Sequence, residues 1–289
     1  MEIGSEAHKE LFCRTFLEGH RKYEPADLPW PELSEESLTL LKSLPFWDHA
    51  LSFESDAGPL MEGTAAAVRD PLIREAMELQ GYEETRHSRL VQFMIDRYGI
   101  EVNKLPVKPV PSDAEGAFVE FGFEECLDSF GAFGLFQLAR ESQLFPDDLF
   151  NVFDNVMREE SHHIVFFVNW YAHREVNRGI APRMLRYPRA IWWYTSALFK
   201  LAGLVNDDDG DEGQDFIVTG AQAFVDDLSP RLVLSTCLQE NARRMAEFDP
   251  RLLQPRLLPR LARVALGAIS LVPRSKSARA ESKARGPAA

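Results

Sequence analysis

The chain is poor in cysteine, with 3 among 289 residues. Cys13, Cys126 and Cys237 lie far apart, form no CxxC pair and leave one cysteine without a counterpart. This spacing argues against a disulfide framework and against a zinc knuckle, and it indicates a reducing compartment. We therefore expect a cytoplasmic protein.

Long apolar runs are also missing. No uninterrupted apolar segment reaches the roughly 18 residues of a membrane-spanning helix, and the nearest candidate, residues 191–205, is broken by Lys200. Residues 1–30 are polar and charged and lack the hydrophobic stretch of a signal peptide. The sequence predicts a soluble protein.

Strand-like alternation bounded by hairpin dipeptides is absent as well, and helical periodicity runs almost throughout. Hydrophobic residues make up 45% of the chain, enough for a sizeable core. The sequence therefore predicts an all-α fold.

The charge of the chain is negative and unevenly distributed. The net charge is −13, yet residues 251–289 hold nine basic residues and one acid, a net of +8. The remainder holds 23 basic and 44 acidic residues, a net of −21. An acidic body repels nucleic acid, so we expect no DNA or RNA partner.

Four long helices are predicted in the first two thirds of the chain. They cover about residues 45–68, 71–98, 113–141 and 146–178, with a proline-rich linker at 101–112. Short turns join the helices into two hairpins, and the linker is long enough to travel the length of a bundle. The pattern favours a four-helix bundle with one crossover connection.

The remaining segments flank this bundle. We interpret residues 1–43 as a lead segment, 44–178 as the bundle, 179–272 as a helical C-terminal extension and 273–289 as a disordered basic tail. Residues 255–272 are apolar and basic, which favours a docking helix. Peripheral membrane contact through residues 255–289 is the alternative interpretation.

The pentapeptide Glu-Glu-x-x-His occurs twice, at residues 83–87 and 159–163, on the second helix of each hairpin. Glu-x-x-His places a carboxylate and an imidazole one turn apart on one helix face. Glu84 with His87, and Glu160 with His163, lie in the middle of otherwise apolar stripes. A buried carboxylate is costly unless it is paired or metal-bound, so both stripes indicate cations.

Two further glutamates lie level with these pairs. Glu54 precedes the first turn by about as many residues as Glu84 follows it, and Glu125 has the same relation to Glu160. Asp128 is the alternative ligand on the third helix, or a partner of the ligands.

Neighbours of the motif residues complete the candidate site. Glu83 and Glu159 lie about 100° round their helices from the ligand face, which suggests that they support the ligands or lie at the surface. His162 is interpreted in the same way.

Four carboxylates and two neutral imidazoles balance the charge of two divalent cations. Without cations, the carboxylates would repel one another and some would protonate. Oxygen-rich ligation with only two imidazoles favours iron or manganese over zinc or copper. This ligand pattern is that of di-iron and di-manganese helix bundles.

On these residues the chain resembles the ferritin-like di-iron carboxylate superfamily over about residues 45–178. The segment Gly122–Phe130 is similar to uncharacterised bacterial ferritin-like proteins. The resemblance implies a four-helix bundle with a di-metal centre. It implies bridging carboxylates at Glu84 and Glu160, terminal carboxylates at Glu54 and Glu125, and terminal imidazoles at His87 and His163.

Departures from better-known members narrow the expected chemistry. Val91 occupies the position where radical-generating reductase subunits carry a tyrosine, and Val156 the position of the extra histidine of arylamine N-oxygenases. The chain is longer than ferritin-cage subunits and ends differently. It has no rubredoxin module with paired CxxC motifs, so electrons must come from an external donor.

The resemblance implies a non-haem di-iron oxidase or oxygenase, with two iron ions or a mixed Mn/Fe pair as cofactor. It would use O₂ to oxidise a small, mainly apolar substrate. The first alternative is a ferroxidase or peroxide-reducing protein without an organic substrate, and the second is a non-catalytic, metal-stabilised helical scaffold. The oligomeric state stays open, with a homodimer as one option.

Overall fold

The computed structural model describes residues 1–103, 105–179, 191–195 and 229–271. Every regular element among these residues is helical, so the predicted all-α class is confirmed. A short 3₁₀ helix, Pro25–Asp27, follows the first helix, and residues 191–195 are also helical. The long elements are α1 (Glu6–Gly19), α2 (Glu35–Ser43), α3 (Trp47–Ala67), α4 (Pro71–Tyr98), α5 (Ala114–Glu141), α6 (Asp147–Asn177), α7 (Pro230–Met245) and α8 (Leu257–Leu271).

Helices α3 and α4 form an antiparallel hairpin with a tight connection. The Asp70 side chain accepts hydrogen bonds from the first backbone N–H groups of α4, and Pro71 occupies the first turn. Gly99 ends α4 in the left-handed conformation, at φ +62°. A Cβ on Gly58 would lie 2.4 Å from Thr85 Oγ1, so glycine at this position lets the two helices approach closely.

Helices α5 and α6 form a second antiparallel hairpin. Asp113 caps α5 by accepting from the Gly116 N–H. Phe167 of α6 lies over Gly122 of α5, where a Cβ would come within 2.2 Å of the ring. Further along, Arg140 of α5 pairs with Asp154 of α6 at 2.9 Å.

The two hairpins pack on each other through two further antiparallel pairs. Phe53 of α3 stacks on Phe121 of α5, and Thr64 Oγ1 donates to the Ala114 carbonyl at 3.1 Å. Contacts between the two Glu-Glu-x-x-His segments join α4 to α6. Since α3 is antiparallel to both α4 and α5, the latter two run parallel, and residues 99–113 connect opposite ends of the packed helices.

A helix that the sequence did not predict covers the α4–α6 side. Within the lead segment, α1 begins after Ser5, whose side chain accepts from the His8 N–H. Phe12 and Phe16 are buried against Phe166 of α6. Its apolar stripe is too narrow to stand out from a charged sequence, because only one edge of α1 meets the core.

In the described part of the C-terminal extension, α7 lies on α5 and α8 contacts α7. Ser229 caps α7, and residues 180–190 and 196–228 of the predicted extension lie outside the described residues. The basic tail at 273–289 lies outside the described residues. None of the helices in the described ranges is both long and apolar enough to cross a membrane.

Candidate metal centre

The predicted ligands converge in the space between α3, α4, α5 and α6. One ligand atom from each of Glu84, His87, Glu160 and His163 lies within 4.8 Å of the others. His87 Nδ1 is 3.2 Å from Glu160 Oε1, and His163 Nδ1 is 3.1 Å from Glu84 Oε1. Each histidine therefore faces the second glutamate of the motif on the opposite helix.

The two glutamates that the sequence predicts to lie level with the motif residues, Glu54 and Glu125, also reach this cluster. Glu54 Oε2 lies 3.6 Å from His87 Nδ1, and Glu125 Oε1 lies 3.3 Å from His163 Nδ1. The six side chains thus divide into two groups of similar composition, one around each imidazole.

Several of the atoms that face one another in the cluster lack hydrogen-bond partners. Buried atoms without a partner include one oxygen of Glu54, both of Glu125, and the Nδ1 atoms of His87 and His163. Buried polar atoms are nearly always satisfied in proteins. Five such atoms, all aimed into one space, fit a centre in which cations complete the interactions.

A crossed pair of hydrogen bonds holds the imidazoles from behind. His87 Nε2 on α4 lies 2.8 Å from Glu159 Oε2 on α6, and His163 Nε2 on α6 lies 3.0 Å from Glu83 Oε2 on α4. When the imidazole is neutral, a carboxylate that accepts a hydrogen bond from Nε2–H leaves Nδ1 with the lone pair that faces the cluster. The first Glu of each motif thus orients the histidine of the other.

The residues outside the crossed pair differ on its two sides. Arg86 is fully buried and donates from Nη2 to Glu159 Oε1 at 2.7 Å, and the Tyr23 hydroxyl donates to Glu159 Oε2 at 2.9 Å. On the other side, Glu83 Oε1 lies 2.6 Å from His20 Nδ1. Glu159 therefore pairs with the guanidinium of Arg86, and Glu83 pairs with the imidazole of His20.

The carboxyl groups of the cluster titrate unevenly. Burial raises the pKa of Glu54 to about 7, and burial with the charge of Glu84 keeps the pKa of Glu125 well above its ordinary value. Burial acts in the same sense on Glu84, but the two imidazoles outweigh it and hold its pKa below the ordinary value. Uneven titration is what closely spaced carboxyls show when no cation neutralises them.

The imidazoles are held in a protonated state by their acidic surroundings. Burial disfavours the charged form of His87 and His163, but hydrogen bonds and charges from the surrounding glutamates raise the pKa of both well above 6.5. For Glu83, burial is outweighed by His163 and His20, and its pKa falls to about 2. Cation binding must therefore displace protons from the cluster.

Asp128 and His162 are placed outside these contacts. Asp128 is half-buried and forms no ion pair with a described residue, and burial with the charge of Glu124 raises its pKa to about 7. The His162 ring packs against Phe248 and lies over Gly19.

Sequence reasoning missed several groups that touch the ligands or their supports. Gln80 lies one turn before Glu84 and donates to its Oε1 at 3.2 Å. Arg86 lies inside the motif, where its buried position gave no signal. His20 and Tyr23 come from the lead segment, and no spacing in the sequence connects them to residues more than 60 positions away.

The cluster is closed on most sides. The side chains of Glu54 and Glu160 are 17% and 13% exposed, whereas the other four ligands are exposed by at most 3%. A surface cleft of about 500 Å³ lies over His20 and Tyr23, behind the two supporting carboxylates. Solvent therefore reaches the candidate ligands beside Glu54 and Glu160. From the cleft it also reaches His20 and Tyr23, which contact the supporting carboxylates Glu83 and Glu159.

The geometry establishes that this buried Glu/His cluster can hold a metal ion. No family model, curated protein or solved structure matches the chain. Inferences about its chemistry accordingly rest on the residues themselves.

Proposed function

We propose that this protein is a non-haem di-iron oxidase or oxygenase that uses O₂ to oxidise a small, mainly apolar substrate. The observation that carries the proposal is the set of unpartnered Glu and His atoms facing one buried space. Four carboxylates and two Nδ1 atoms match the donor set of di-iron and di-manganese bundles. Their charge is balanced by two divalent cations.

The order and direction of the helices support a ferritin-like bundle. The two helices within each hairpin are antiparallel, α4 and α5 run parallel, and a long connection joins α4 to α5. Bundles with one long crossover connection have this arrangement. We propose that residues 44–178 form such a bundle, with α1 as an additional cover.

The donor atoms favour iron or manganese, since oxygen-rich sites with two imidazoles suit these metals better than copper or zinc. Two iron ions in this position would supply the redox chemistry with O₂, and the protein would supply binding, orientation and electrostatics. Glu84 and Glu160, on the two motif helices, would hold the metals together with Glu54 and Glu125 from the neighbouring helices.

The surrounding residues would orient the ligands and restrict access to them. Glu159 and Glu83 would accept hydrogen bonds from the Nε2–H groups of His87 and His163, which would leave both Nδ1 atoms free to bind metal. Phe16 packs on the His163 ring with centroids 5.8 Å apart, which excludes water on that side. A small molecule would approach beside Glu54 and Glu160, the two exposed ligands.

Metal stoichiometry tests the proposal directly. After anaerobic loading with ferrous iron, the purified protein should hold about two irons per chain by metal analysis. Glu160→Ala should lower the number of bound irons, because it removes one of the four carboxylates that would hold them. Glu62→Ala is the matched control, since Glu62 is an exposed glutamate of α3, and it should bind as the unmodified protein does. Fewer than one bound iron per chain would refute the proposal.

Oxygen uptake separates the oxidase from its alternatives. The ferrous protein should consume O₂, and a panel of small lipophilic compounds should yield an oxidised product that Glu160→Ala does not form. Ferrous oxidation with no organic product would assign a ferroxidase. Bound metal without O₂ consumption would assign a metal-stabilised scaffold.

A further inference from the structure

Among the described residues, helix α8 packs on the rest of the molecule through its first half. Leu258 and Ala262 are buried in the main hydrophobic core. From Arg263 onward the side chains are exposed or half-buried as far as Ile269, and a Cβ on Gly267 would meet no atom within 4 Å. The second half of the helix therefore projects from the packed surface.

This projecting surface carries three of the exposed large apolar side chains of the described residues. Val264 is 71% exposed, Leu261 49% and Ile269 37%. At about 3.6 residues per turn, Leu261 and Val264 share one side of the helix with Ala268. Large aliphatic side chains left in water at this density mark an interaction surface.

Basic residues border the apolar side. Arg260 lies about 40° beyond Val264 on the helical circumference, and Arg256 and Arg263 follow within about 60° more, so the basic residues border one edge of the apolar side. No acidic residue occurs between Arg251 and Leu271. Arg256 and Arg263 are exposed and form no ion pair with a described residue. In the sequence, residues 272–289 add five more basic residues against one acid.

We propose that α8 docks on the surface of an anionic lipid bilayer. Helices that lie in the membrane interface have an apolar side next to a side that carries arginine or lysine. Anionic headgroups attract this segment while they repel the acidic remainder of the chain, which also orients the protein on the bilayer. At about 1.5 Å per residue the helix spans roughly 22 Å, too short to cross the bilayer.

A protein partner fits this surface less well. A specific interface of ordinary size buries about 800 Å² on each partner. The apolar side of α8, as described, offers a few side chains of one short helix. A bilayer needs no matching shape, and it gains from each added basic residue.

Vesicle co-sedimentation of the full chain tests the proposal. The protein should sediment with phosphatidylcholine vesicles that contain phosphatidylglycerol, remain in solution with phosphatidylcholine alone, and be released by high salt. The variant Leu261→Asp/Val264→Asp should lose binding. Its control, Leu105→Asp/Val107→Asp, makes the same change at two other exposed apolar residues and should bind normally.

The arginines require a separate pair of variants. Arg256→Gln/Arg263→Gln should weaken binding by roughly tenfold or more, because each basic residue near an anionic surface contributes to attachment. Arg14→Gln/Arg231→Gln changes the net charge equally at exposed sites in α1 and α7, and it should leave binding unchanged.

A dye reports directly on the position of α8. An environment-sensitive fluorophore on Val264→Cys should shift to the blue when anionic vesicles are added, and the same dye on Val107→Cys should not. Absence of binding by the unmodified protein, or equal loss in the control variants, would overturn the proposal. A dimer in light scattering that Val264→Asp converts to a monomer would assign the surface to a second copy and overturn it as well.

Discussion

Glu83 and Glu159 occupy equivalent positions in the repeated motif but differ in their surroundings. The charge of Glu159 is matched by the buried guanidinium of Arg86, which also lies 4.0 Å from the centre of the Tyr23 ring. Glu83 contacts the imidazole of His20, and Arg86 is 3.8 Å from Glu83. Loss of either carboxylate removes support from one imidazole, but only loss of Glu159 leaves a permanent cation buried without its closest partner.

We therefore expect Glu159→Gln to destabilise the metal-free protein more than Glu83→Gln does. An uncompensated buried charge costs about 3–5 kcal/mol. The guanidinium of Arg86 is permanently charged, whereas an imidazole also exists as a neutral donor and acceptor. Urea unfolding of both variants measures the difference in the free energy of unfolding. Equal destabilisation would show that Arg86 finds another partner.

The same two variants should both weaken metal binding. Partners that hydrogen-bond to a metal-ligating histidine typically contribute 10–100-fold to affinity. Calorimetric titration with Mn²⁺ under anaerobic conditions measures this, with Glu78→Gln as an exposed glutamate control on α4. An affinity equal to that of the unmodified protein would mean that the crossed hydrogen bonds do not orient the imidazoles.

The ligand residues could be predicted from the sequence because their spacing carries the information. Glu84 and His87 lie one turn apart in an apolar stripe, and Glu54 follows from the length of two helices joined by a short turn. Whether these residues bind metal stays a prediction. Arg86 and His20 could not be assigned from the sequence, because their roles depend on which helix each faces.

At the scale of elements, α5 is distinctive because it is buried on nearly all sides. It contacts α3, α6 and α7, and small residues on it make room for the neighbours. At Gly134 a Cβ would lie 2.3 Å from Cys237 Sγ and 2.9 Å from the Cys237 backbone. Glycine at this position is what lets α7 lie directly against the helix that carries Glu125.

Gly134→Ala should therefore destabilise the protein by about 1–3 kcal/mol, as overpacking a close contact does. The obstructing atoms include backbone, so a side-chain rotation cannot relieve the clash. Gly267→Ala is the matched control, because that helical position is open and alanine should stabilise it by up to about 1 kcal/mol. Thermal and urea unfolding compare the two, and a neutral Gly134→Ala would contradict the described packing of α7 on α5.

The helix α1 shows why the element prediction was incomplete. The four long helices have wide apolar stripes and clear end signals, such as Asp70 and Asp113. In α1 only a narrow stripe with Phe12 and Phe16 is buried, and most of its surface is solvent-exposed and charged. Its helical state depends on the groove it covers, which local sequence does not reveal.

At the scale of the whole molecule, the candidate centre concentrates negative charge within a chain that is already acidic. In the metal-free state that charge is relieved by protons, since the pKa values of Glu54, Glu125 and both imidazoles are raised. A group with a raised pKa stabilises the folded state below its ordinary pKa, and this contribution is lost as the pH rises through the folded pKa. Carboxyls and imidazoles thus act in the same direction here.

We expect the metal-free protein to lose roughly 1–3 kcal/mol of stability between about pH 7 and 8.5. Glu84 and Glu83 do not oppose this, because carboxyl groups with lowered pKa values change stability only at more acidic pH. The lowered pKa values of His49, His162 and His173 favour the folded state as the pH rises, but that gain is complete near the ordinary pKa of histidine, below this range. Bound Mn²⁺ should reduce the loss, and its affinity should rise with pH as protons are released. Urea unfolding with and without metal checks the prediction, and a metal-free stability that rises over this range would contradict it.

The crossed hydrogen bonds between the motifs have a consequence for how such a centre can be assembled. Each imidazole is oriented by a glutamate from the other hairpin, so an isolated hairpin could brace its histidine only by meeting a second hairpin. With both copies on one chain, this association is intramolecular and proceeds at a high effective concentration, independent of how much protein is present. The linker between α4 and α5 therefore does more than lead the chain from one end of the packed helices to the other, because it joins two dependent half-sites in one unit.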